Sequence, residues 1–252
     1  MALRVHLFAA AFGLALTGAA HAADAPASAA MAAPAKPVKT LMVLAPQDVD
    51  PGLLLPPPPA AGSPAQLAEL DELRRIQARR TPEELAAAKW DDAHEDPSAF
   101  AQTLGASFDL KALPATARLL AAVDNDQAVA AVMAKKYFKR HRPWTSDDTL
   151  VGCERGKNPD PLTSYPSGHA TLGYSLAVVL SALMPEKAQA IQARASEFAY
   201  HRLVCGVHYR SDIEASQALG VAVAIELLHS PALQPQIQAA VDELRAAHLT
   251  TR

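Results

Sequence analysis

The residues whose types and spacing could do chemistry fall in three short clusters. The first is Lys135 with Arg142 and Pro143, two cations seven positions apart, which is two helical turns and one face if the helix persists. The second is Pro166-Ser167-Gly168-His169. A small Ser-Gly pair at a helix start exposes backbone N–H groups, and with the helix dipole these bind an anion well. The third is Arg202, His208 and Asp212; the carboxylate, four positions after the imidazole, can orient it and fix its tautomer. Singly, each has an ordinary explanation. Lys135 sits in the basic run Lys135-Lys136-Tyr137-Phe138-Lys139-Arg140-His141-Arg142, which reads as a solvated helix end favouring cations. Ser167 serves as a helix cap and Gly168 as a turn, His169 and His208 are partly buried histidines, and Arg202 with Asp212 is a structural ion pair. Together they form an anion-binding and acid–base set.

The elements that must hold this set are helices. From residue 64 onward Ala, Leu, Glu, Lys, Gln and Arg dominate and β-branched alternation is absent, so the expectation is an all-α domain. Thr81-Pro82-Glu83-Glu84 is a capping box with Pro at the first helical position. A long helix is predicted over 114–139, stopped by Arg142-Pro143 because the residue before proline avoids helical geometry. Another is predicted over 167–183, and one opened by Pro185 running towards Cys205-Gly206. Ser211-Asp212-Ile213-Glu214 reads as a second capping box, for a helix ending near His229, and Ser230-Pro231 as the start of the last. Asp48 to Pro59 contains Leu53-Leu54-Leu55 and then four prolines, which predicts an extended polyproline segment with the leucines tucked beneath it.

The N-terminus reads as an export signal. Arg4 precedes an apolar run from Val5 to Thr17, and Ala20-His21-Ala22 supplies the small-x-small cleavage pattern, which gives residues 1–22 as a signal peptide. Residues 23–44 read as a disordered Ala/Pro-rich leader and 45–252 as a single domain. Removing 1–22 takes one Arg and no acid, moving the formal charge from −3 to −4. That balance gives no global attraction to nucleic acid or to an anionic membrane surface, and no stretch after the signal has the length of a membrane span. In an exported chain Cys153 and Cys205 can persist as a disulfide, worth roughly 4 kcal/mol in the chain-entropy account; two free buried thiols are the alternative. Two cysteines without finger-spaced histidines make no zinc site.

Taken as a set, the clusters resemble the signature of the phosphatidic acid phosphatase type 2 (PAP2)/vanadium haloperoxidase superfamily: K-x6-R-P at Lys135 to Arg142-Pro143, P-S-G-H at 166–169, and the last motif at Arg202, His208 and Asp212. Within it the chain is similar to the bacterial class A non-specific acid phosphatases, through Leu53-Leu54-Leu55-Pro56-Pro57-Pro58-Pro59 and Cys205-Gly206-Val207-His208-Tyr209-Arg210-Ser211-Asp212. The Ser that precedes the Arg of the last motif in that family is His201 here, which leaves fine specificity and pH optimum open.

The resemblance implies a single-domain helical bundle, exported to the periplasm or secreted, that hydrolyses phosphate monoesters without metal or other cofactor. His208 is implied as nucleophile, Asp212 as its orienting carboxylate and His169 as general acid and then base. Lys135, Arg142, Ser167, Gly168 and Arg202 are implied to hold the phosphate oxygens, with inorganic phosphate or vanadate as inhibitor, an acidic optimum near pH 5 to 6 and a homo-oligomer in keeping with the family. Phosphoryl transfer needs mostly positioning and charge stabilisation, which fixed cations can supply. The alternatives are a vanadium-dependent haloperoxidase with vanadate in the phosphate site, a membrane lipid phosphatase, which needs spans this chain lacks, and a catalytically retired exported phosphate-binding protein.

Overall fold

A computed structural model describes residues 39–153 and 161–251. The segments read as a signal peptide (1–22) and as leader up to residue 38 lie outside the described residues. Those described are all-α, with no strand among them.

Helix α1, Pro64–Arg79, is capped by the Ser63 hydroxyl, and α2, Pro82–Ala93, by the capping box of Thr81 and Glu84. Helix α3, Pro114–Phe138, is the long one. It stops short of Arg142-Pro143, because Lys139 takes a left-handed conformation (φ 49°) with its N–H on Lys135 O. Lys135 and Arg142 therefore do not share a helix face. Helix α4, Gly168–Leu183, is followed by a tight turn at Pro185–Lys187 and by α5, Ala188–Val204. Helix α6, Arg210–His229, starts with Tyr209 as its flanking residue, not Ser211, because Asp212 turns back to accept the Tyr209 N–H at 2.9 Å. The last helix, α7, is Gln234–Ala246; Ser230 to Leu233 form a turn before it rather than its first residues.

Helix α4 is the hub, buried along most of its length and packed against α6, α5 and α3. It passes close to α6 at Gly220, where a Cβ would stand 2.8 Å from Thr171 O, so any side chain there would force the two helices apart. That closeness brings the start of α4 against the start of α6: the Ser167 N–H donates to Ser216 Oγ at 2.9 Å, and the Ser216 hydroxyl faces Asp212 O at 2.6 Å. Cys153 and Cys205 are joined, tying the segment after α3 to the end of α5.

Two expectations for the N-terminal part fail. Residues 39–44, placed at the end of the 23–44 leader, are anchored. Asp126, fully buried on α3, accepts the N–H groups of Met42, Val43 and Leu44 at 2.7, 3.0 and 2.8 Å. A buried carboxylate must find donors, and these residues supply them. The leucines before the prolines are not all tucked in. Pro51–Leu54 forms one helical turn that leaves Leu53 82% exposed and buries Leu55, while Pro56 O accepts the Tyr165 hydroxyl at 2.6 Å. Among the described residues no helix is long and apolar enough to cross a membrane.

Candidate active site

The three clusters meet at one end of α4. After the left-handed Lys139 the chain runs back along the segment leading into α4: Ser164 N–H donates to Arg140 O and Arg142 N–H to Pro161 O. Arg142, 3% exposed, is thereby set beside His208, with Nη1 2.7 Å from His208 Nε2 and 2.8 Å from Val207 O. Lys135, from the last turns of α3, reaches Thr163 O at 2.5 Å and Pro166 O at 2.6 Å. Arg202, from the last turn of α5, is fully buried with Nη1 2.7 Å from Asp92 Oδ1.

His208 has its tautomer fixed by its neighbours. A guanidinium has only donors, so His208 Nε2 facing Arg142 must be a lone pair. A neutral ring then carries its proton on Nδ1, which donates to Asp212 Oδ2 at 3.3 Å. Burial, followed by the positive charges of Arg142, Lys135 and Arg202 and by His169, holds this imidazole well below its ordinary pKa, so it stays neutral. Asp212 also accepts Ser164 Oγ at 2.6 Å on Oδ2 and Arg140 Nη1 at 2.6 Å on Oδ1. Burial raises the Asp212 carboxyl and the Arg140 charge opposes it; with permanent donors on both oxygens we assign the ionised form.

His169, the second residue of α4, lies between two acceptors, Glu95 Oε1 at 3.0 Å from Nδ1 and Asp92 O at 3.3 Å from Nε2. Only a ring protonated on both nitrogens donates to both. The Ser167 hydroxyl accepts the Ala170 N–H at 3.3 Å, the ordinary capping role, and is fully buried. Gly168 opens the helix with no side chain between its backbone and the Glu95 carboxylate; a Cβ there would lie 3.2 Å from Glu95 Oε1.

The residues singled out in the sequence thus converge, and four neighbours to which the sequence assigns no site role join them. Arg140, in the run read as a solvated face, is buried between Asp212 and Glu69 and stacks over the Tyr209 ring at 3.9 Å. Asp91, Asp92 and Glu95 come from the end of α2. A signal for them existed: Asp91 and Asp92 sit in a last helical turn with no basic residue, against the dipole, so each needs a cation from elsewhere. Asp92 has Arg202. Asp91 has Arg194 and His201 Nδ1 at 2.5 Å, and their hydrogen bonds and charge outweigh its burial and hold its carboxyl below the usual range. His201, the departure from the family pattern, is therefore a partner of Asp91 on the α2 side.

Comparison with known proteins places the residues in a wider group. The PAP2 superfamily pattern matches residues 115–234. The chain is 34% identical over 205 residues to a non-specific acid phosphatase of Providencia stuartii, covering 78% of this chain and 82% of that one. It is 30% identical over 212 residues to a non-specific acid phosphatase of Salmonella typhimurium, covering 79% and 81%. To an acid phosphatase of Zymomonas mobilis it is 32% identical over 187 residues, covering 73% and 70%.

Proposed function

The chain belongs to the PAP2 superfamily, and we propose that it is an acid phosphatase that hydrolyses phosphate monoesters through a phosphohistidine on His208, without a metal ion. The observation that carries this reading is the state of His208. Its Nε2 lone pair is turned into a cluster of cations and its Nδ1 proton is held by a buried carboxylate.

In the proposed reaction the phosphate group displaces the Arg142 contact from Nε2 and takes its place among Lys135, Arg142 and Arg202, with the start of α4 beneath it. Nε2 attacks phosphorus in line as the bond to the leaving oxygen breaks, and the His169 imidazolium gives that oxygen its proton. The imidazolium formed at His208 is stabilised by Asp212, which keeps its hold on Nδ1–H. Water then attacks the phosphohistidine, its proton passes to His169, and inorganic phosphate leaves with Nε2 regenerated. The cations do the charge neutralisation that metal pairs do elsewhere. The histidines enter with opposite protonation, one neutral and one charged, which supports a bell-shaped profile with an acidic optimum. Export to the periplasm or beyond remains part of the proposal, supported by the sequence of residues 1–22.

The test is hydrolysis of p-nitrophenyl phosphate by the purified mature chain across pH 4 to 9, with EDTA and with vanadate, together with alkaline quenching to trap phosphohistidine. Acid-side turnover that survives EDTA, falls with vanadate and leaves phosphate on His208 is expected. Activity abolished by EDTA, or full activity in His208→Ala, would refute it.

A further inference from the structure

The Glu95 carboxylate lies beside the candidate general acid, against the start of α4. Glu95 lies just beyond α2, and its Oε1 is 3.0 Å from His169 Nδ1. The same oxygen is 3.2 Å from where a Cβ on Gly168 would be, so it lies against the first residue of α4. Burial favours the neutral acid, but His169, Arg202 and Lys135 outweigh it and hold its carboxyl below the ordinary range. An anion thus rests at a helix start, on the candidate general acid, in the field of two of the candidate phosphate-binding cations. Those are the surroundings of an oxyanion bound in this site.

The neighbouring acid behaves differently. The side chain of Asp92, paired with Arg202, is 4% exposed and built into the wall, whereas that of Glu95 is 47% exposed. One carboxylate is fixed; the other has a path to solvent.

We propose that Glu95 is an intramolecular gate of the phosphate site, whose carboxylate holds the anion position in the free enzyme and must swing towards solvent before a phosphate monoester can seat. The inference rests on the phosphate-site reading above and deepens it. Two anions cannot share one position without repulsion, so they exclude each other. Glu95 then weakens the binding of substrate and of product phosphate alike. Its departure also frees His169 Nδ1–H at the moment the leaving oxygen arrives, so the acceptor lost from the free enzyme is replaced by the atom to be protonated. A residue that only steadied the His169 ring would alter turnover without competing with phosphate.

Calorimetric titration with inorganic phosphate near pH 6 separates these roles in the mature chain, in Glu95→Gln, which keeps the shape and removes the charge, and in Glu95→Ala. Both variants are expected to bind phosphate roughly ten-fold more tightly than the parent. The KM for p-nitrophenyl phosphate should fall in step and kcat should change by a smaller factor. Equal or weaker phosphate binding in the folded variants, with the parent binding normally, would overturn the gate and leave the phosphatase reading intact. No phosphate binding by any of the three folded proteins would overturn the phosphate site itself and the gate with it.

Discussion

Replacing Asp212 by Asn removes one charge and one acceptor at nearly constant volume, in a place where every neighbour is a donor. Oδ1 accepts Arg140 Nη1 at 2.6 Å; Oδ2 accepts Ser164 Oγ at 2.6 Å, the Tyr209 N–H at 2.9 Å and His208 Nδ1–H at 3.3 Å. A carboxamide has one oxygen to offer. With its NH2 group in the Oδ1 place it confronts a guanidinium that has no acceptor. With the NH2 group in the Oδ2 place it confronts the Tyr209 N–H, and His208 can respond only by moving its proton to Nε2. There the proton would face Arg142, and the attacking lone pair would be gone. An unpaired buried donor costs about 1–3 kcal/mol and an orphaned buried charge about 3–5 kcal/mol. The second figure is reduced here because Arg140 keeps Glu69 at 2.7 Å. A net loss of roughly 2–4 kcal/mol corresponds, for a domain of this size, to a fall in Tm of about 5–15 °C. The kcat on p-nitrophenyl phosphate should drop by about 10^3 to 10^4, the scale of a mis-set tautomer beside a catalytic imidazole. KM should move far less, since Lys135, Arg142 and Arg202 are untouched. Calorimetry and steady-state kinetics on the same preparation read both effects. A folded Asn variant within about ten-fold of the parental kcat would refute the tautomer argument.

Three further outcomes are expected. In Asp126→Ala the N–H groups of Met42, Val43 and Leu44 lose a charged acceptor; stability should fall by roughly 2–4 kcal/mol in urea with kcat unchanged, and unaltered stability would contradict the anchoring. Replacing both Cys153 and Cys205 by Ser opens a loop of 52 positions and should cost about 4 kcal/mol, read as a lower urea midpoint that reducing agent does not lower further. His208 is neutral in the fold far below its ordinary pKa, so the unfolded chain takes up a proton that the native state refuses. Stability should therefore decline as pH falls below about 6.5, and His208→Asn should remove that part of the slope between about pH 7 and pH 5; an unchanged slope would count against the burial of a neutral ring.

What could be read in the sequence was what local chemistry decides. The Thr81 capping box, the Ser167 cap, Pro114 at a helix start and the four-residue step from His208 to Asp212 each act over one turn of chain, and each appears where the pattern puts it. Local pattern misled where two neighbouring signals competed. Asp212 caps back to Tyr209 because its other duties, to His208 and Arg140, fix where its carboxylate points, and that choice moves the start of α6 ahead of Ser211. The same demand explains residues 39–44: they follow an Ala- and Pro-rich stretch but are themselves Lys-Thr-Leu-Met-Val-Leu, and the buried Asp126 takes up the N–H groups of the last three.

The acids from the end of α2 are the instructive omission. Asp92 and Glu95 precede Lys135, the first residue of the recognised motifs, by about 40 positions, and no spacing rule links them to it. Packing α2 against α5 brings Asp92 to Arg202, and with α5 packed on α4 it sets Glu95 beside His169. Yet the electrostatics of the chain imply that such acids exist. Four cations, Lys135, Arg140, Arg142 and Arg202, gathered around a neutral His208 would repel one another in the free enzyme, so fixed negative charge must be supplied. Asp212 and Glu69 answer Arg140, and Asp92 answers Arg202. What the substrate later brings is one more anion into a site already partly balanced. In such a site the acid best placed to compete with the incoming phosphate is the one that is least buried, and among Asp212, Asp92 and Glu95 that is Glu95.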